Sequence, residues 1–265
     1  MGSMILSLPR SPVDAERRTL SRRVVRALLP LAGSLALLGT AAFAIDMPVA
    51  DWFKDGVWPA WMPKLLVEVA DEVGRLVTMS EVAAHTVSVG VILALVLALD
   101  PGLAWPKGLR ASLRKGADRA RLPTEQALFG RMLGATVTGG IAADLVKLFV
   151  ERIRPRVTDF TLHASAWDTF RESIVDTVTG SRSNIHSFPS GHSAMAAGLA
   201  AALSWRYPRA RGFFATFAIM AAGQRVMSSA HFPSDICFGL ALGLAGAAWW
   251  LRGAAADGGV EADSV

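Results

Sequence analysis

Ser187-Phe188-Pro189-Ser190-Gly191-His192-Ser193 ends one segment of this chain and starts another. An apolar, small-residue run follows, Ala194 to Trp205, so the stretch is a turn that opens a helix. Ser190 is a strong N-cap, and Gly191 lets a ligand approach the backbone closely. His192 then falls in the first turn, where free N–H groups and the helix dipole favour an anion. Taken alone, such a turn is as easily structural as functional.

Two other stretches change that balance. Upstream lies Lys147-Leu148-Phe149-Val150-Glu151-Arg152-Ile153-Arg154-Pro155. Lys147 and Arg154 are two helical turns apart, so a continuous helix would put them on one face. Pro155 disfavours helix at Arg154 and puts both cations near a helix C-terminus. Downstream lies Gln224-Arg225-Val226-Met227-Ser228-Ser229-Ala230-His231-Phe232-Pro233-Ser234-Asp235. Here a cation precedes a histidine, and a carboxylate follows four residues later.

Together the three stretches resemble the signature of the type 2 phosphatidic acid phosphatase (PAP2) superfamily. Lys147, Arg154 and Pro155 are in register with its first part, and Pro189, Ser190, Gly191 and His192 with its second. Arg225, His231 and Asp235 match its third. Gln224 departs, standing where the pattern has Ser. The motifs cover roughly the second half of the chain. The resemblance implies an integral membrane lipid phosphate phosphatase. It implies His231 as nucleophile through a phosphohistidine, Asp235 as its partner and His192 as the acid.

Composition points the same way. The 265 residues are 52% hydrophobic, with a mean hydropathy of +0.38. That is too apolar for an ordinary soluble domain and predicts an all-α, polytopic membrane bundle. The single cysteine, Cys237, excludes an intrachain disulfide and reads as a buried structural thiol. The net charge of +5 sits at the ends of apolar segments, which argues against a nucleic-acid partner.

About six transmembrane helices are predicted. Residues 1–26 form a basic N-terminal segment, 27–252 the membrane domain and 253–265 a polar tail. The apolar runs are Ala27 to Ile45, Ala83 to Leu99, Gln126 to Arg152, Gly191 to Tyr207, Arg211 to Gln224 and Ser234 to Leu251. A signal peptide is the rival reading of the first run; its length favours a retained anchor. The fourth and fifth runs are short for spans. Residues 46–82 carry Trp52, Phe53, Trp58 and Trp61, which suits either interfacial segments or a helical cap. Residues 100–125 form a basic loop, either against anionic headgroups or solvated. Gly130, Gly134, Gly139 and Gly140 allow close helix contacts. Residues 156–189 form a long connection that roofs the site; His163 and His186 within it read as surface residues.

Six spans put both termini on one side. The N-terminal arginines, the basic loop, the Arg206 to Arg211 turn and Arg252 share it, and the positive-inside rule makes it cytoplasmic. All three motifs then face outward, to the periplasm of a bacterial inner membrane.

The residue types fit phosphoryl transfer. Guanidinium groups grip phosphate through paired hydrogen bonds, and Lys adds a point charge. Lys147, Arg154 and Arg225, with Ser190 and Gly191 of the turn, form the predicted phosphate site; Gln224 can add an amide. Arg152, Arg156 and Arg182 read as snorkelling anchors. Asp235 is placed to accept a hydrogen bond from one His231 nitrogen and leave the other free to attack phosphorus. His192 lacks such a carboxylate and suits the general acid. Two-metal catalysis needs clustered carboxylates, and the motifs offer only Asp235 and Glu151, so neither metal nor cofactor is expected. The rival functions are a lipid phosphotransferase using the same histidine and a non-catalytic anion-binding or transport protein. Which lipid, and which oligomeric state, stay open.

Overall fold

The computed structural model describes residues 12–54, 92–93, 95–96, 124–170 and 182–260. Their regular structure is helical: α1 (Pro12–Ala42), α2 (Asp46–Lys54), α3 (Thr124–Lys147), α4 (Gly191–Arg206), α5 (Arg211–Met227) and α6 (Pro233–Val260). The expected all-α class holds among the described residues. Most of the second apolar run and all of the basic loop at 100–123 lie outside them.

Helix α6 is the centre of the bundle, packing against α1, α3 and α4. Small residues let it do so. A Cβ on Gly243 would come within 2.1 Å of the Ala194 carbonyl oxygen, and one on Gly139 within 2.5 Å of the Gly243 Cα. Where backbones touch, a side chain would force the helices apart. The apolar core lies towards the far end from His192. Leu28 of α1, Met132 of α3, Ala202 of α4 and Leu251 of α6 meet there with Leu93.

Among the described residues two helices, Ala15–Ala42 and Pro233–Arg252, are long and apolar enough to cross a membrane, fewer than the six spans expected. At 16 and 17 residues, α4 and α5 are as short as their apolar runs imply. Helix α1 begins at Pro12, so Arg17 to Arg26 belong to the same helix as the first apolar run. Helix α6 likewise runs on to Val260, into the expected polar tail.

The main departure is at the end of α3. The helix stops at Lys147, not Arg152. Leu148 and Phe149 bond back three residues, tightening the last turn. The chain then runs extended, with Arg154 at φ −81°, ψ 150°, as a residue before proline prefers. Its backbone groups find partners across the chain. Arg152 N–H donates to the Ile185 carbonyl at 2.7 Å, and Arg154 N–H to that of Asn184 at 2.8 Å. Arg152 and His186 form a parallel bridge. Lys147 and Arg154 therefore do not share a helical face; a change of backbone conformation separates them.

Candidate active site

Three chain turns meet at one end of α4 and α6. At the first, Ser190 caps α4, its Oγ accepting from Ser193 N–H at 3.3 Å. Its own N–H donates to the Asp235 carbonyl at 3.0 Å, which ties the α4 start to the α6 start. Lys147 reaches this point from α3: a Cβ on Gly191 would lie 3.3 Å from its Nζ. The ammonium also pairs with Asp144 Oδ1 at 2.9 Å. Glycine at 191 thus leaves room for a cation against the first turn of α4, where free N–H groups already attract an anion. Half-buried His192 is in that same turn.

The second turn joins α5 to α6. Ser229 adopts φ 51°, the left-handed region that a non-glycine residue enters at a cost. It ends α5 as a C-terminal turn does, with the N–H groups of Ala230 and His231 both donating to the Arg225 carbonyl at 3.1 Å. Its hydroxyl donates to the Phe53 carbonyl at 3.0 Å. The turn delivers His231, 2% exposed, beside Asp235, 0% exposed. Pro233 opens α6, and the Asp235 carboxylate accepts the Phe232 N–H at 2.9 Å, capping its own helix.

His231 is not oriented in the expected way. Its Nδ1 lies 2.7 Å from the Ser187 carbonyl and 3.7 Å from Asp235 Oδ2. A carbonyl only accepts, so Nδ1 carries the hydrogen and Nε2 keeps the lone pair. One ring nitrogen thus donates and the other stays free, but a backbone carbonyl, not Asp235, is the nearest acceptor. Burial pushes the His231 pKa down to about 4, reinforced by Arg154 and Arg225 and opposed by Asp235. Arg154 and Arg225 are thus both near enough to act on the ring. Burial lowers the pKa of Arg154 as well, with Arg156 adding to it. Arg225 is buried and Gln224 half-buried, with Arg225 Nη1 donating to Gln224 Oε1 at 3.4 Å.

The third turn holds what sequence reasoning missed. Arg152, read as a membrane anchor, is fully buried. Its guanidinium donates to Asp46 Oδ2 at 2.7 Å, Ser234 Oγ at 2.8 Å and Thr169 Oγ1 at 2.9 Å, and also to Asp235 Oδ1. It lies over the rings of Phe232, Phe170 and Phe43, 4.1–5.3 Å from their centroids. Asp46 in turn accepts the Ser234 N–H at 2.9 Å. Burial raises the Asp46 pKa, against the opposing pull of Arg152. Sequence offered little warning of this: an acid just after an apolar run and an arginine two places before a matched one.

Other expectations fare variously. Arg156 is exposed and bonds Asn184 at 2.9 Å. The side chain of Arg182 lies outside the described residues. His163 is buried, its Nδ1 2.7 Å from the Asp159 carbonyl, so it is not a surface residue; His186 is half-buried. Cys237 is only partly buried. Among the described residues no three His, Cys, Asp or Glu side chains gather as metal ligands.

Residues 128–257 match the family model described as PAP2 superfamily. The chain is 35% identical over 124 residues to the lipid A 1-phosphatase of Rhizobium johnstonii, covering 44% of this chain and 46% of that protein. It is 34% identical over 125 residues to the lipid A 1-phosphatase of Rhizobium etli, covering 44% and 49%. The chain thus spans about half the length of the curated relatives it matches. No solved structure matches.

Proposed function

We propose that this chain, whose residues 128–257 match the PAP2 superfamily model, is a membrane phosphatase that hydrolyses a lipid phosphate. The observation that carries the reading is the state of His231. It is buried, neutral and hydrogen-bonded at Nδ1, with cations of the motifs close enough to act on it. A neutral imidazole held in one tautomer is a prepared nucleophile.

In the proposed reaction, Lys147, Arg154 and Arg225 hold the phosphate oxygens, with the N–H groups at the start of α4. The Nε2 lone pair of His231 attacks phosphorus, and the bond from phosphorus to the lipid oxygen breaks. Protonated His192 gives that oxygen its proton. Water then attacks the phosphohistidine, His192 takes up the water's proton, and phosphate leaves with His231 restored. The two steps together return the protein to its starting charge.

The substrate we favour is the 1-phosphate of lipid A, from the names of the two relatives. Membrane residence is supported by the apolar residues that α1, α3, α5 and α6 leave exposed, among them Leu37, Ile141, Phe217 and Trp249. An outward-facing site is supported by charge placement. Arg17 bonds the Arg206 carbonyl and Arg209 pairs with Glu16, so the basic residues of α1 and of the α4–α5 turn gather at the end opposite His231.

The test is phosphate release by detergent-solubilised protein from lipid A, phosphatidate, phosphatidylglycerophosphate and an isoprenoid diphosphate. Release from lipid A at the 1-position, inhibited by vanadate, is expected. No release from any of them would overturn the reading.

A further inference from the structure

The carbonyl that sets the His231 ring belongs to Ser187, and that residue is pinned three ways. Its N–H donates to the Arg152 carbonyl at 2.9 Å. Its hydroxyl donates to Asp235 Oδ2. Its carbonyl accepts from His231 Nδ1 at 2.7 Å. Two of these ties lead back to Arg152, which supplies the first carbonyl and holds Asp235 through Nη1. Arg152 is itself fixed. Four hydrogen bonds use nearly all of its donors, Asp46 balances its charge, and three aromatic rings enclose it.

Stability alone is a poor reason for this arrangement. A buried ion pair repays little more than its desolvation cost, and apolar packing often does as well. What the pair supplies is geometry. A guanidinium with its donors engaged on both sides cannot rotate, so Asp235 cannot shift, and neither can the serine between Asp235 and His231. The distance of 3.7 Å between Asp235 and Nδ1 makes that serine necessary.

We propose that Arg152 and Asp46 are positioning residues for His231. Asp46 fixes Arg152, Arg152 fixes Asp235 and Ser187, and the Ser187 carbonyl fixes the tautomer and plane of the ring. The role in turnover rests on the reading of His231 as nucleophile. Asp46 lies outside residues 128–257, so the device draws on a part of the chain that the family match does not cover.

The test uses the full chain in detergent, with ¹⁵N-labelled histidine and the variants Arg152→Lys and Asp46→Asn. Lysine keeps the charge and loses the fork; asparagine keeps the shape and loses the charge. Turnover of nitrophenyl phosphate is expected to fall about 10²-fold for Arg152→Lys and about tenfold for Asp46→Asn, as outer-shell and misplacement effects do. KM should stay within about twofold. The ¹⁵N signal of His231, identified by its absence in His231→Ala, should report Nδ1–H in the parent and a mixture of tautomers in both variants. Unchanged tautomer in either folded variant overturns the proposal, as does turnover lost only in proportion to folded protein. If Arg152→Lys does not fold, Asp46→Asn decides alone. If the parent releases no phosphate from any substrate, the phosphatase reading fails, and the tautomer decides the positioning by itself.

Discussion

At the end of the bundle that carries His231, Arg152 is fully buried between Asp46 and Asp235. At the opposite end, Arg209 pairs with Glu16 at 2.8 Å with both side chains more than half exposed. Each arginine has an acid within hydrogen-bonding distance. The exposed pair sits in high dielectric, and holding two long side chains together costs entropy, so it stabilises little. The buried pair has given up water on both sides, so losing either partner strands a charge. The same contact distance therefore carries different consequences. One end is built for fixed geometry, the other for placement of charge.

The sharpest way to break that comparison is to ask which end faces out. A membrane-impermeant thiol reagent should label Leu162→Cys in intact cells, in a Cys237→Ser background, and leave Arg211→Cys untouched. Both positions are exposed in the fold, Leu162 on the site side and Arg211 at the far turn. The reverse pattern would invert the proposed orientation.

Next come the two histidines of the buried end. His231→Ala should abolish phosphate release by about 10⁴-fold or more on lipid phosphate and nitrophenyl phosphate alike, and should also remove acid-labile phosphate trapped on the protein. His192→Ala should cost about 10²–10⁴-fold on lipid phosphate and much less on nitrophenyl phosphate. The nitrophenolate leaves without a proton; the lipid oxygen needs one. Equal losses for His192→Ala on both substrates would remove its role as acid.

Stability tests sharpen the comparison directly. Arg152→Ala should destabilise the detergent-solubilised protein by about 3–5 kcal/mol, because it leaves two buried carboxylates uncompensated. Arg209→Ala should cost less than about 1 kcal/mol. Melting curves of the two variants that coincide would refute the contrast.

The last effect, no larger than the loss of Arg152, is in pH. The His231 pKa of about 4 lies below its usual 6.5, so between those values the unfolded chain binds the extra proton. Its contribution to stability is full above pH 6.5 and declines as the pH falls towards about 4. The loss is on the order of 3 kcal/mol. Thermal melts from pH 7 to 4 should show a steeper decline in the parent than in His231→Gln. Parallel curves would mean that the ring is not held neutral by burial.

The helices themselves were legible where a single run carried its own stop and start. Ser190 announces the start of α4, and Pro233 that of α6, because a cap and a fixed φ are local events. The end of α3 was not. Nothing in Lys147 to Arg154 forbids helix before Arg154. The helix ends early because residues 152–154 pair with 184–187 and with Thr169, partners 15 or more residues away. The glycines of α3 were legible as small, while the partner of Gly139, Gly243, was not.

The sequence by itself determined the candidate set: three cations, two histidines and an acid at the spacings of one family signature. Spacing is a property of the chain, so it survives without coordinates. Tertiary structure decided how those groups are held. It turned Arg152 from a presumed anchor into the centre of a buried network and brought Asp46 from outside the matched segment. It also put the Ser187 carbonyl, rather than Asp235, against His231. Those choices depend on burial and on contacts between residues up to 188 positions apart, and neither is written in local sequence.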